Sequence, residues 1–406
     1  MGARPRVIVV VGTAAGNPYA GMAWMHMQIV VGLRRLGHDA YYFETTSTWP
    51  YDPVRNGMVD DSDYAVSYLA RLADSFGVGD HWAYRRSYGD KAWLGIGGGE
   101  AEQLLAHADA VLNVAGATKL AEEGLKVGRL VYFGTDPVFH EITYAAGDPH
   151  VREIIDAHAD AVTYGENIGT SESPIPPLPR LRASTRQPIL LDFWAAGPPR
   201  RCEFTTVGNW RQGGRDVAFG GETYTWSKHH EFLKFIDLPR RVRQPIELAM
   251  NLADSESIGH GRGAAVPALG LPVDDRRLLE SHGWRLADSR PFTMSPWPYR
   301  DYVQASCGEF TVARDLNVRL RSGWFSERSA CYLAAGRPVI TQDTGFGTRL
   351  PTGEGLFAFQ TMDEALAAFD AVATDWERHS RAARAIAEEY FRAETVLARL
   401  MDDLGL

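Results

Sequence analysis

The sequence predicts an α/β protein built from two doubly wound domains joined by a linker. Short apolar runs such as Val7–Val11 and Val339–Thr341 alternate with helical patterns, as parallel sheets require. Seven prolines within residues 171–200 interrupt this alternation near the middle of the chain. A chain of 406 residues is long enough for two domains of ordinary size. We therefore expect domains at residues 1–170 and 201–385, a linker at 171–200, and a final helix within 386–406.

The overall composition is that of an ordinary globular protein. Hydrophobic residues make up 45% of the chain and charged residues 23%, with a formal net charge of −9. An acidic balance disfavours a broad surface for nucleic acid. The three cysteines suggest neither a disulfide framework nor a metal site. No run is long enough for a membrane span, so we expect a cytoplasmic protein.

The first domain opens with a strand, a glycine-containing loop, a helix and a second strand. The strand Val7–Val11 is followed by Gly12 and Gly16, then by helical residues 22–36 and the apolar run 40–43. The glycine spacing does not match the dinucleotide-binding fingerprint. The sequence therefore gives little support for a dinucleotide cofactor at this loop.

The helix after this loop begins with large apolar residues and one histidine. Met22 and Trp24 either line an apolar ligand pocket, because methionine adapts to irregular surroundings, or pack in the core. His26 is either a catalytic base or a packed histidine.

An acidic loop follows a later strand of the first domain. Residues 130–133 form the strand, and Asp136 lies three residues beyond it. Asp136 either takes a proton from a ligand hydroxyl or binds such a hydroxyl, or it forms a turn before Pro137. Residues 50–103 suggest no role.

A helix–glycine–strand joint dominates the second domain. Ser326 can cap a helix with Glu327 in its first turn, and Gly336 can end that helix before the strand at residues 339–341. The helix would be ~13 Å long and the strand ~16 Å. Because the strand runs back in the direction opposite to the helix, the chain returns close to the level at which the helix began. Glu327 and the loop at residues 343–346 should therefore meet at the carboxyl edge of a parallel sheet.

That edge offers the groups that bind a nucleotide. Free backbone N–H groups suit phosphate, and the Glu327 carboxylate can accept two hydrogen bonds from ribose hydroxyls. The alternative is an ordinary joint in which Glu327 only favours the start of a helix. Glycine loops on both sides, at Gly323 and at Thr344–Gly345, favour the ligand site.

Residues 309–359 resemble the donor site of GT-B glycosyltransferases, whose pattern is a glycine loop followed by Glu-x-x-Ala-x-Gly-x-Pro-Val-Ile. In that family the glutamate holds the nucleotide ribose, and Glu327 corresponds to it. Many retaining members carry another glutamate eight residues earlier, where this chain has Arg319. The resemblance implies two Rossmann-like domains facing each other across a cleft, a final helix within 386–406 that crosses back to the first domain, and a glycosyltransferase activity of the EC 2.4 kind.

The resemblance also implies which residues would form the site. Lys228 is the preferred diphosphate ligand, since it opens a helix and a lysine suits phosphate as a point charge; the alternative is a solvated surface charge. The implied donor-binding residues are Asn209, Trp210, Lys228, Arg314, Ser322, Gly323, Ser326, Glu327, Arg328, Thr344, Gly345 and Phe346. The implied acceptor loop comprises Gly12, Gly16, Met22 and Trp24, and the candidates for a catalytic base are Asp136 and His26.

The expected reaction moves a sugar from a UDP-, TDP- or GDP-sugar to a small-molecule or glycan acceptor. No Asp-x-Asp pair is placed to hold a metal, so we expect metal independence and no cofactor besides the nucleotide-sugar co-substrate. Inversion is slightly favoured because Arg319 replaces the retaining glutamate. The alternatives are a sugar-nucleotide epimerase or hydrolase of the same fold and a non-catalytic nucleotide-binding module. A DNA-modifying transferase is disfavoured by the acidic balance.

Overall fold

The computed structural model describes residues 4–45, 48–252 and 271–406, and it contains two large parallel sheets, each flanked by helices. The predicted α/β class is therefore confirmed. We call the structure around the first sheet the N-terminal unit and the structure around the second sheet the C-terminal unit.

The N-terminal unit carries ten strands and five helices among the described residues. Its strands are β1 (Val7–Val11), β2 (Asp39–Glu44), β3 (Tyr51–Asp52), β4 (Gly57–Met58), β5 (Trp82–Arg85), β6 (Trp93–Gly95), β7 (Ala110–Val114), β8 (Leu130–Gly134), β9 (Asp160–Thr163) and β10 (Leu181–Ser184). Its helices are α1 (Ala20–Arg35), α2 (Asp63–Ser75), α3 (Gly98–His107), α4 (Phe139–Ala145) and α5 (Pro149–Asp156). Eight strands form a sheet in the order β10-β9-β8-β7-β1-β2-β5-β6, in which only β6 is antiparallel.

The C-terminal unit follows the same plan with six parallel strands. Its strands are β11 (Phe204–Val207), β12 (Val217–Phe219), β13 (Glu222–Tyr224), β14 (Ile246–Met250), β15 (Arg285–Asp288), β16 (Gly308–Thr311), β17 (Val339–Gln342) and β18 (Leu356–Phe359). Its helices are α6 (His229–Lys234), α7 (Val273–Ser281), α8 (Arg290–Thr293), α9 (Pro296–Ala305), α10 (Asp315–Arg319), α11 (Glu327–Ala334), α12 (Met362–Thr374), α13 (Trp376–Tyr390) and α14 (Ala393–Leu404). The sheet order is β15-β14-β11-β16-β17-β18, and β12 and β13 form a separate hairpin. The order turns back between β11 and β16, which is the position where such sheets bind ligands.

The proline-rich segment supplies a strand before it crosses between the units. Strand β10 lies within residues 171–200 and pairs with β9 at the edge of the first sheet. The crossing chain is then held by arginines of the C-terminal unit: Arg337 Nη1 donates to the Gly197 carbonyl at 2.7 Å and Arg384 Nη1 to the Trp194 carbonyl at 2.8 Å.

The last helix returns to the N-terminal unit. Helix α14 packs against α1 so closely that a Cβ atom on Gly32 would lie 2.4 Å from Leu397 Cδ1. Arg129 Nη1 also donates to the Leu404 carbonyl at 2.7 Å. The preceding helical pattern is broken at residues 391–392, between α13 and α14.

An aromatic cluster joins the two units on the side of α1. The Trp24 ring lies 4.8 Å from that of Trp194 in the crossing chain and 5.6 Å from that of Trp297 in α9, centroid to centroid. Trp24 is fully buried, and its Nε1 donates to the Pro296 carbonyl. The structure therefore supports the interpretation that Trp24 packs in the core. Its assignment to the acceptor loop is wrong. Among the described residues, no helix is long and apolar enough to cross a membrane.

Candidate functional site

The helix–strand joint forms as the sequence predicts, and its two flanking loops touch. Gly323 N donates to the Thr344 carbonyl at 2.8 Å, and the Phe325 and Phe346 rings are 5.2 Å apart. Gly323 has φ of 75°, and a Cβ atom there would lie 2.7 Å from Asn167 N. Glycine is required at this position for both reasons.

Glu327 is the first residue of α11 and faces the N-terminal unit. Its Oε1 accepts hydrogen bonds from Gln28 Nε2 of α1 at 2.8 Å and from Cys331 Sγ at 3.3 Å. Burial raises the pKa of the Glu327 carboxyl to about 7. Glu327 therefore lies where the two units meet. Burial there disfavours the ionised form of its carboxyl group.

Several side chains assigned to the donor site instead hold the loops in shape. Ser322 Oγ donates to Asn317 Oδ1 at 2.7 Å, and Thr344 Oγ1 donates to the Trp324 carbonyl. Phe346 is buried. Ser326 occupies the capping position, but its side chain makes no capping hydrogen bond. A ligand could meet these loops mainly through their backbone groups.

Asn167 ties the second glycine loop to the N-terminal unit. Its Nδ2 donates to the Gly345 carbonyl at 3.0 Å, and its backbone N donates to the Ser322 carbonyl at 3.1 Å. Gly345 has φ of 88°, the left-handed conformation that glycine adopts readily. Nothing in the local sequence around Asn167 indicates this role, because both partners are distant in the chain.

Three cations gather at the carboxyl ends of β11 and β16. Arg328 donates to the Val207 carbonyl at 2.7 Å and to Thr311 Oγ1 at 2.9 Å, and it pairs with the buried Glu309. Burial, together with Arg328 and Arg314 nearby, holds the pKa of the Lys228 ammonium well below its usual range. These cations lie where the sheet order turns back, a position suited to an anionic ligand.

Lys228 is the least restrained of the three. It precedes the first residue of α6 by one position, whereas the sequence predicted it as the first residue of that helix, and its Nζ lies 5.6 Å from the centre of the Trp324 ring. Among the described residues, the structure gives its ammonium no hydrogen bond or ion pair. Its side chain could therefore bind an anionic ligand without breaking a hydrogen bond or ion pair, and the charge of that ligand would favour the protonated ammonium.

Arg314 connects the cation cluster to Asp136 of the N-terminal unit. Its guanidinium pairs with Asp136, which follows β8, and lies 3.7 Å from the centre of the Trp226 ring. Trp324 Nε1 also donates to the Thr135 carbonyl at 3.1 Å. Asp136 thus lies beside the cations where the two units meet, in the position that the sequence predicts for a polar loop at the end of a strand.

His26 and the first glycine loop form a buried layer of the N-terminal unit. His26 is 0% exposed, its Nδ1 meets the Met22 carbonyl at 2.7 Å, and burial lowers its pKa to about 4. A Cβ atom on Gly12 would lie 2.0 Å from His26 Nε2, so the ring fills the space that this glycine leaves open. The structure therefore favours the interpretation of His26 as a packed core histidine over that of a catalytic base.

Glu44 is a further residue of this layer that the sequence did not reveal. Its carboxylate accepts hydrogen bonds from Ala15 N at 2.8 Å and Gly16 N at 2.6 Å, and from the Tyr42 hydroxyl at 2.9 Å. Burial raises the pKa of Glu44 to about 7. The loop at Gly16 is thus held by a side chain at the end of the neighbouring strand.

Trp210 and Arg319 do not reach the site. Trp210 is 1% exposed, and its Nε1 donates to Asp275 Oδ2 at 2.8 Å, so its assignment to the donor site is wrong. Arg319 pairs with Glu222 of the β12–β13 hairpin and stacks on the Tyr224 ring at 4.2 Å. Asn209, next to Trp210, is partly exposed just beyond the end of β11. Within the described ranges, no group of three or more His, Cys, Asp or Glu residues is placed to hold a metal ion.

Comparison with known proteins gives matches in structure alone. No protein-family model and no curated protein matches the chain. Sucrose-phosphate synthase from Thermosynechococcus elongatus is similar at 11% identity and a TM-score of 0.53, with 99% of each chain covered. HepE from Anabaena in complex with UDP-glucose is similar at 10% identity and a TM-score of 0.54, covering 98% of this chain and 99% of HepE. The E. coli trehalose-6-phosphate structure bound with UDP-2-fluoro glucose is similar at 13% identity and a TM-score of 0.53, with 98% of each chain covered. At these identities the likeness establishes the fold, and the chain has the two-domain fold of the GT-B glycosyltransferases.

Proposed function

We propose that this protein is a glycosyltransferase that moves a sugar from a nucleoside-diphosphate sugar to a small-molecule or glycan acceptor. The observation that carries the proposal is the group of three cations, Lys228, Arg314 and Arg328, at the ligand-binding edge of the second sheet. A departing nucleoside diphosphate gains negative charge in the transition state, and fixed cations stabilise that charge. Two of the three are already held in position by hydrogen bonds or ion pairs.

Glu327 supplies the second part of the proposed donor site. Its Oε1 is occupied by Gln28 and Cys331, and among the described residues the structure shows no hydrogen bond to its Oε2. A ribose hydroxyl that donates to this carboxylate would favour its ionised form. The proposed ribose hydroxyls would thus donate hydrogen bonds to a carboxylate that accepts few from the surrounding protein.

The structural neighbours suggest the nucleotide to test first. HepE is described in complex with UDP-glucose, and the E. coli structure contains UDP-2-fluoro glucose. A UDP-sugar is therefore the first candidate donor. We propose that the cations neutralise its diphosphate without a metal ion.

Asp136 is the proposed general base for an inverting reaction. It contacts Arg314 of the C-terminal unit and is partly exposed, whereas His26 is fully buried. A base must come within hydrogen-bonding distance of the acceptor hydroxyl. The Arg314 pair would fix the orientation of the Asp136 carboxylate while the acceptor binds.

The proposal is tested by nucleotide binding followed by turnover. The full chain is screened by thermal shift with UDP, TDP, GDP and ADP, and the sugar donors of the stabilising nucleotide are then assayed with and without acceptors. Sugar transfer that is lost in Lys228→Ala and kept in Lys126→Ala, an exposed control, supports the proposal. Donor hydrolysis or epimerisation without transfer to any acceptor, or binding without turnover, would overturn it.

A further inference from the structure

A groove lined by arginines lies outside the proposed donor site. It runs between the β9–β10 edge of the first sheet, helix α14 and the chain that follows β17, and its volume is about 550 Å³. The charged residues that line it are Arg180, Arg182, Arg186, Arg349, Arg399 and Glu166. The groove therefore holds five guanidinium groups and one carboxylate, although the whole chain has a net charge of −9.

Two of these arginines have no carboxylate partner among the described residues. Arg180 Nη1 donates to the carbonyls of His158 and Asp156, which are neutral acceptors. Arg349 Nε contacts Asn167 Oδ1 at 3.4 Å, again a neutral acceptor. Both side chains belong to exposed residues, so their charge faces the groove or solvent.

The carboxylates around the groove are too few to neutralise it. Asp160 is shared, since Arg182 and Arg129 each donate to one of its oxygens. Glu166 pairs with Arg186 through two hydrogen bonds of 2.7 and 2.9 Å.

The last arginine of the groove is only weakly paired. Arg399 reaches Asp403 at 3.8 Å, with 80% of the arginine side chain exposed. Glu389 lines the adjoining cavity beside Asp403. The positive charge of the groove is thus concentrated on Arg180, Arg349 and Arg399.

The shape and charge of the groove indicate its ligand. Guanidinium groups bind phosphate oxygens through paired hydrogen bonds, and several of them around one concave site favour a ligand with a doubly charged group. A volume of about 550 Å³ is that of a small-molecule site. We propose that this arginine groove binds a small phosphate ester, at a site separate from the donor cleft and independent of the proposed transfer reaction.

The test measures binding of inorganic pyrophosphate to the full chain by titration calorimetry. Every variant carries Lys228→Ala, so that the proposed donor site contributes little. The groove variant is Arg349→Gln/Arg399→Gln, which removes two exposed charges and breaks no pair with a buried carboxylate. The matched control is Arg277→Gln/Arg381→Gln, two arginines with 77% and 73% exposed side chains.

We expect the dissociation constant for pyrophosphate to rise at least tenfold in the groove variant and to change less than twofold in the control. A second measurement, sedimentation with phosphatidylcholine vesicles with and without phosphatidylglycerol, distinguishes a lipid head group from a soluble ester. Loss of vesicle binding in the groove variant alone would assign the phosphate to a lipid. Equal binding of pyrophosphate and vesicles by the groove variant and the control would overturn the proposal, and unchanged melting temperatures show that both variants are folded.

Discussion

Replacing Glu327 by glutamine should stabilise the unliganded protein at high pH. Burial raises the pKa of Glu327 from 4.5 to about 7, so the folded protein holds this proton more tightly than the unfolded chain does. The protonated Glu327 carboxyl therefore makes its full contribution to the free energy of unfolding below about pH 4.5. This contribution is lost as the pH rises through 7. At about 1.4 kcal/mol per pKa unit, ionised Glu327 costs the fold about 3 kcal/mol at pH 8.

Glutamine is neutral at every pH and can keep the acceptor oxygen that Gln28 and Cys331 contact. Glu327→Gln should therefore melt several degrees above the wild type at pH 8 and close to it at pH 5. Glu44 and Glu141 also have pKa values raised to about 7 by burial, so only the difference between the two proteins isolates Glu327.

The same variant should lose its response to nucleotide. A carboxylate can accept hydrogen bonds from both ribose hydroxyls, whereas a glutamine amide offers one acceptor and one donor. Thermal shift at pH 8, with and without the best nucleotide of the panel, measures both effects. A stability difference that is equal at pH 5 and pH 8 would refute the assigned pKa shift, and a full nucleotide response would refute the ribose contact.

Three other substitutions probe the site separately. Lys228→Ala should weaken nucleotide-sugar binding at least tenfold by calorimetry without lowering the melting temperature, because the low pKa of Lys228 means that its charge costs the fold stability; unchanged affinity would exclude it from the diphosphate site. Gly323→Ala should destabilise the protein by about 2 kcal/mol or more, from the left-handed φ and the clash with Asn167, while Gly213→Ala, with open space around it, should be neutral by the same denaturation assay. Asp136→Asn should lower kcat about 100-fold or more, as expected for a general base; a product that keeps the anomeric configuration of the donor, determined by NMR, would contradict that role.

The sequence predicted the local frame of the site well. Glycine, proline and β-branched residues act within a few positions of themselves, so the helix that begins at Glu327, its end at Gly336 and the strand at Val339–Gln342 could all be read from residue order. The position of Lys228 just before a helix follows from the same local rules.

Side-chain direction was much less predictable. Trp24 and Trp210 are aromatic residues near loops, and only the packing around them shows that they are buried in the core. Thr344 and Phe346 likewise lie in the predicted loop, but their side chains turn inward. A sequence pattern specifies the loop, whereas the neighbouring units decide which of its atoms remain accessible.

The sequence by itself thus determined two α/β units and the helix–glycine–strand joint that carries Glu327. The tertiary structure alone decided what surrounds that joint: Gln28 lies 299 residues from Glu327 in the chain, and Asn167 lies 178 residues from Gly345. Such contacts depend on how α1 and the turn at Asn167 pack against the C-terminal unit. That packing is the sum of many distant apolar contacts, and no local pattern encodes it.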